Sequence, residues 1–176
     1  MAGSFYRTVV KAFTGLPEAR VLLTVGRQFD PSDLGPVPPN VRVEPWVDQH
    51  VVLERADLVV CHGGSGTVLG TLAAGKPLVV VGSFADQFEN GRRIADAGAG
   101  VVVEEIGRAI GASRTPIGEQ DATRIEQAIR TVLGEPSFRR RAERFAVEIE
   151  AYPTVDLVLD RLLTGGSLDA WTSRPS

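Results

Sequence analysis

The residues richest in chemical capacity stand together at 62–67, His-Gly-Gly-Ser-Gly-Thr, directly behind the apolar run Leu58-Val59-Val60-Cys61. An apolar run of this kind reads as a buried strand, and the residues after Gly64 read as a helix. A glycine-rich turn at the carboxyl end of a parallel strand lets backbone N–H groups approach a ligand closely. The first amides of the helix, which have no partner within it, then favour negative charge. Ser65 and Thr67 add hydroxyl donors, and His62 adds an N–H. The segment is therefore built to take an anion. A plain helix start capped by Ser65 would leave the histidine and the second hydroxyl at the same place unexplained.

Two further polar clusters follow neighbouring apolar runs. Gly82-Ser83-Phe84-Ala85-Asp86-Gln87-Phe88-Glu89-Asn90 offers a carboxylate and two amides, the mixed acceptors and donors that vicinal sugar hydroxyls require. Taken alone, Asp86 reads equally well as a helix cap with surface amides behind it. Glu44-Pro45-Trp46-Val47-Asp48-Gln49 places an indole at a strand end, where it can stack on a planar base, although an isolated tryptophan is more often core. Three such clusters at three strand ends outweigh each one singly.

The elements needed to hold these clusters are legible as an alternation of short β-branched runs with longer helical patterns, which defines an α/β chain. Strands are expected at 21–25, 41–43, 57–61, 77–81 and 100–103, and helices at 5–14, 64–74 and 87–97, with Gly75 and Gly98 in left-handed positions at helix ends. The nearly all-apolar runs fit a parallel sheet covered on both faces. Beyond Val103 the pattern is helical at 121–133, 137–150 and 155–163. Residues 104–120 read as an irregular loop and 164–176 as a flexible tail behind one domain, 1–163. Arg139, Arg140, Arg141 and Arg144 are interleaved with Glu143, Glu148 and Glu150, which makes a solvated face with local ion pairs.

Composition narrows the function classes. The chain has 176 residues, 43% hydrophobic and 23% charged, with 19 Lys and Arg against 22 Asp and Glu. A net charge of −3 gives no basic field for nucleic acid, and no apolar run approaches the ~20 residues of a membrane span. Cys61 is the one cysteine and only two histidines occur, so no disulfide framework or cysteine-rich metal site is expected, and the setting reads as cytoplasmic. Two other phosphate loops fit poorly. Gly64, Gly66 and Gly70 carry one residue too many for the dinucleotide fingerprint, although Asp86 lies where a ribose-binding acid would stand. A nicotinamide-dependent dehydrogenase is thus a minor alternative. Gly70 to Lys76 imitates a P-loop, but Pro77 occupies the place of the magnesium-binding hydroxyl.

Taken in order, Trp46-Val47-Asp48-Gln49, His62-Gly63-Gly64-Ser65-Gly66-Thr67, Gly75-Lys76-Pro77 and Asp86-Gln87 with Asn90 resemble W-V-P-Q, H-G-G-x-G-T, G-x-P and D-Q-x-x-N. These are motifs of the donor-binding C-terminal half of family 1 glycosyltransferases of the GT-B fold, especially bacterial enzymes acting on natural products. The resemblance covers residues 5–163. It implies a Rossmann-like parallel sheet with helices on both faces, and a UDP- or TDP-sugar as co-substrate with no further cofactor. Trp46, Val47 and Gln49 would meet the nucleoside, and His62, Gly63, Gly64, Ser65, Gly66 and Thr67 the diphosphate. Asp86, Gln87 and Asn90 would meet the donor sugar. The implied reaction is metal-independent displacement at the anomeric carbon with inversion, and no D-x-D triplet occurs.

The resemblance also defines departures. Asp48 and Gly82 stand where the family has proline. The catalytic base belongs in the family to an N-terminal acceptor-binding domain to which nothing here corresponds, so no catalytic residue is assigned and His50 reads as a surface residue. The family's first donor-domain strand is also unmatched. It would lie between the strands at 21–25 and 57–61, so the sheet is expected to be interrupted there, to rearrange, or to take a strand from a partner, a second copy included. An acceptor-binding domain or subunit is the other expected partner. The alternative reading is a non-catalytic nucleotide-binding module or a truncated fragment.

Overall fold

A computed structural model describes residues 2–82, 86–103 and 118–164; most of the expected 104–120 loop and all but the first residue of the expected tail lie outside the described residues. The chain opens with α1 (Ala2–Thr14), β1 (Val21–Thr24), β2 (Val41–Glu44), α2 (Gln49–Arg55) and β3 (Val59–Cys61). It continues through α3 (Ser65–Ala73), β4 (Leu78–Val80), α4 (Gln87–Asp96) and β5 (Gly100–Val102), and closes with α5 (Ala122–Gly134), α6 (Pro136–Glu150) and α7 (Val155–Leu163). Strand pairing is parallel throughout. This is the α/β architecture expected; among the described residues α2 is the one α-helix not anticipated, and short 3-10 turns stand at Pro31–Leu34 and Glu119–Asp121. Gly75 and Gly98 end their helices at φ +67° and +71°, a region in which a Cβ is strained.

The period-two alternation of β4 sorts its side chains between two cores. Val79 and Val81 enter a cluster with Val9, Ala12 and Phe13 of α1 and Ile125, Ile129 and Val132 of α5. Leu78 and Val80 point the other way, into a cluster with Val68 and Leu72 of α3, Ile94 of α4 and Ala142 of α6. All of β4 is fully buried, and each such side chain contributes about 1.5–3 kcal/mol of apolar burial. The arginine cluster lies on α6 as a solvated face. Arg139 pairs with Glu143 of its own helix and reaches Asp57, while Arg141 donates to the Ala97 carbonyl at 2.8 Å.

The sheet is not continuous. β1 pairs with β2 and β3 with β4, but among the described residues nothing pairs with the facing edges of β1 and β3. Both pieces nevertheless rest on one core. Val21 and Leu23 of β1 and Val60 of β3 pack against the same α1 and α5 cluster. The interruption falls at the expected place, and the two edges do not close on each other. At the amino end of the sheet the Asn40 amide donates to the carbonyls of Leu16 and Ala19 at 2.9 and 3.0 Å. That ties the end of α1 to the start of β2.

Candidate functional site

The turn after β3 is shaped by Gly63. Its φ is +90°, and a Cβ there would stand 2.7 Å from the Gln87 carbonyl oxygen and from a Val80 methyl, so only glycine fits. The turn is thereby pressed against the start of α4. Helix α3 begins with Gly64 as its N-cap, which has no side chain to accept from the first helical amides. The first bond within the helix runs from the Val68 N–H to the Gly64 carbonyl, 3.0 Å, so the N–H groups of Ser65, Gly66 and Thr67 precede the ladder and point out of the helix end. His62, Ser65 and Gly66 are exposed and Thr67 is half-buried. Ser65 therefore does not cap α3.

The cluster after β4 reaches back to this turn. Asp86 precedes α4 without capping it, and its Oδ2 lies 3.4 Å from Ser65 Oγ. The Asn90 amide donates to the Gly63 carbonyl at 2.9 Å and to Asp86 Oδ2 at 3.1 Å, with Ser65 Oγ at 3.4 Å. Asn90 thus joins two strand ends through one NH2 group. Gln87 is buried, at 4% exposure, and contributes to the cavity wall described below. Ser83, Phe84 and Ala85 lie outside the described residues.

The third cluster is organised by Asp48, whose carboxylate accepts from the His50 N–H at 3.0 Å and caps α2. The residue that departs from the family's proline therefore starts a helix. Trp46 is 59% exposed and is not core. The guanidinium of Arg27, three residues beyond the end of β1, stands 5.3 Å from its ring centroid. His50 is exposed beside Glu54, in keeping with a surface residue. Arg27 escapes a motif-based reading, because the only sequence signal is a cation just beyond a strand end.

Trp46, Val47, Gln49, His62, Thr67 and Gln87 line one cavity of about 2220 Å³, which residues of β1 and β3 line as well; Ser65, Gly66, Asp86 and Asn90 are not part of its wall. Cys61 also lines it but is buried, and burial pushes its thiol above the ordinary range, so it forms wall and supplies no thiolate at neutral pH.

Parallel strands with an uncapped helix end behind the central turn are the setting that the resemblance implies for the donor-binding half of a GT-B glycosyltransferase. Residues 12–164 match the family described as Erythromycin biosynthesis protein CIII-like, C-terminal domain, and the chain belongs to that family. It is 38% identical over 151 residues to the elloramycin glycosyltransferase ElmGT of Streptomyces olivaceus, covering 86% of this chain and 35% of that protein. It is 33% identical over 146 residues to the oleandomycin glycosyltransferase of Streptomyces antibioticus, covering 83% and 31%. Among solved structures it resembles the spinosyn rhamnosyltransferase SpnG complexed with thymidine diphosphate, at TM-score 0.76 and 30% identity over 92% of this chain and 40% of that one. The glycosyltransferase VinC in complex with dTDP gives 0.72 and 26%, over 90% and 36%. The chain spans about a third of the length of these two sequence relatives. Among the described residues no helix is long and apolar enough to cross a membrane.

Proposed function

We propose that this chain is the nucleotide-sugar-binding part of an inverting glycosyltransferase that moves a sugar from a UDP- or TDP-sugar to a small-molecule acceptor, the acceptor being held by another domain or subunit. The observation that carries this reading is the uncapped start of α3, which aims the amides of Ser65, Gly66 and Thr67 out beside His62, in a fold whose solved relatives include two complexes with thymidine diphosphate. In the reaction the acceptor oxygen bonds to the anomeric carbon as the bond from that carbon to the diphosphate oxygen breaks. Negative charge then grows on the leaving diphosphate. The helix end, the hydroxyls of Ser65 and Thr67 and the His62 N–H stabilise it in the role a metal would otherwise fill. Trp46, Val47 and Gln49 take the nucleoside. Asp86, Gln87 and Asn90 serve the sugar, Asn90 through its hold on Asp86. The acceptor proton leaves to a base on the acceptor-binding part.

Calorimetric titration of the folded chain with TDP and UDP, with NAD as control, tests the donor site. The expected outcome is saturable binding of a pyrimidine diphosphate that His62→Ala weakens about tenfold, the ~1.4 kcal/mol of one charge-assisted hydrogen bond. Tighter binding of NAD, or no diphosphate binding by a chain that retains its far-UV signal, overturns the proposal.

A further inference from the structure

A tight turn just beyond β1 brings a cation to the nucleoside side of the site. The Phe29 N–H donates to the Gly26 carbonyl at 3.4 Å, which leaves Arg27 and Gln28 as the two central residues of the turn. Gly26 takes φ +80° although a Cβ there would meet no neighbouring atom, so the backbone and not the space calls for glycine. Tyr6 of α1 holds the turn from both sides. Its hydroxyl donates to the Val25 carbonyl at 2.9 Å, and its ring meets that of Phe29 edge to face at 5.0 Å. Tyr6 and Gly26 line the same cavity as Trp46, His62 and Thr67.

The charge presented by this turn has no carboxylate to meet. Among the described residues no acid pairs with Arg27, and its guanidinium stands over the Trp46 indole instead. The acids nearest along the chain are committed elsewhere. The Asp30 carboxylate accepts from the Ser32 N–H at 2.9 Å, Glu44 accepts from Arg42 Nε at 2.7 Å, and Asp48 caps α2. An exposed cation on a ring face is a weak seat, a factor of about two to five in an equilibrium, whereas a cation on a phosphate makes charge-assisted hydrogen bonds that are considerably stronger.

We propose that Arg27 is a specificity residue of the donor site, one that keeps Trp46 for nucleotides and disfavours uncharged rings. Any planar molecule that takes the covered face of the indole must first lift the guanidinium. A nucleoside gives that side chain nothing in return. A nucleotide that sends its diphosphate toward His62 and the start of α3 offers it phosphate oxygens. Preference for the diphosphate over the nucleoside is then set from two sides of the site, by the end of α3 and by Arg27. The inference rests on the donor-binding reading and adds to it a residue outside every motif.

The probes are whichever of TDP and UDP binds the chain more tightly and its nucleoside, each titrated calorimetrically into the wild type, Arg27→Ala and Arg27→Lys. Arg27 is exposed, so all three proteins should melt alike. Arg27→Ala is expected to bind the diphosphate about tenfold more weakly and the nucleoside no more weakly than the wild type does. Arg27→Lys, which keeps the charge without the planar fork, should lose about threefold for the diphosphate. Equal losses for diphosphate and nucleoside, or equal losses in the two variants, overturn the proposal. Where the nucleoside saturates none of the proteins, the diphosphate alone decides: affinity falling from wild type through Arg27→Lys to Arg27→Ala is expected, and any other order overturns it. Diphosphate binding that Arg27→Ala leaves unchanged overturns this inference alone. No diphosphate binding by the folded wild type overturns the donor-binding reading and this inference with it.

Discussion

Asn90 holds the site together at the scale of single residues. One amide group bridges the Gly63 carbonyl and the Asp86 carboxylate, so the turn that presents the helix end and the carboxylate expected at the sugar share a support. Asn90→Ala removes both bonds and leaves Asp86 free to turn. TDP affinity should fall about three- to tenfold, ~0.7–1.4 kcal/mol, with little change in melting temperature. A fall in melting temperature with unchanged affinity would assign Asn90 to the fold alone. The motif residues themselves were legible, because glycines, hydroxyls and a histidine at a strand end have few other uses. What the sequence could not carry was direction. Asn90 turns toward a residue 27 positions away, and Arg27 meets a ring 19 positions on; such pairings depend on rotamers and on how strand ends are spaced, not on local pattern.

At the scale of elements, α2 shows where pattern reading stops. Seven residues make two turns, too few for a 3.6-residue period to stand out, and Val51 and Val52 beside Leu53 blur it further. Asp48 was noted as a departure from a family motif, yet its carboxylate is what starts the helix. Asp48→Ala should cost about 1 kcal/mol and lower the melting temperature by about 2–4 °C, whereas Asp48→Asn, which keeps an acceptor, should cost far less. Equal melting temperatures for wild type and Asp48→Ala would show that the cap contributes nothing. α1 begins at Ala2, three residues before the expected start, and the other long helices were legible within a residue, since α5 places Ile125, Ile129 and Val132 on one face and breaks at Glu135-Pro136 before α6.

On the scale of the whole molecule, the break in the sheet divides the fold into unequal parts. β3, β4 and β5 are covered on both faces by the two cores, whereas β1 and β2 rest on α1 and α5 by one face and leave Leu22 exposed on the other. Local opening should follow that difference. Amides of Leu78–Val80 are expected to exchange at least ~100-fold more slowly than those of Leu22–Thr24, a gap of ~2.7 kcal/mol read by native-state hydrogen exchange. Uniform protection would mean that both pieces open as one unit. The strand order and the break were both readable from five apolar runs and one family resemblance. Which of the expected outcomes would hold, an interrupted sheet or a rearranged one, was not, because it is decided by α1 and α5, against which both pieces pack.

In the proposed donor site, the guanidinium that rests on Trp46 turns stacking of the nucleoside into an exchange. A base that stacks on the face of this indole that Arg27 covers displaces the guanidinium, so the free energy gained there is the difference between two ring contacts and not the whole of one. The released cation remains tethered within a few residues of the strand end, free to follow the negative charge that arrives with the base.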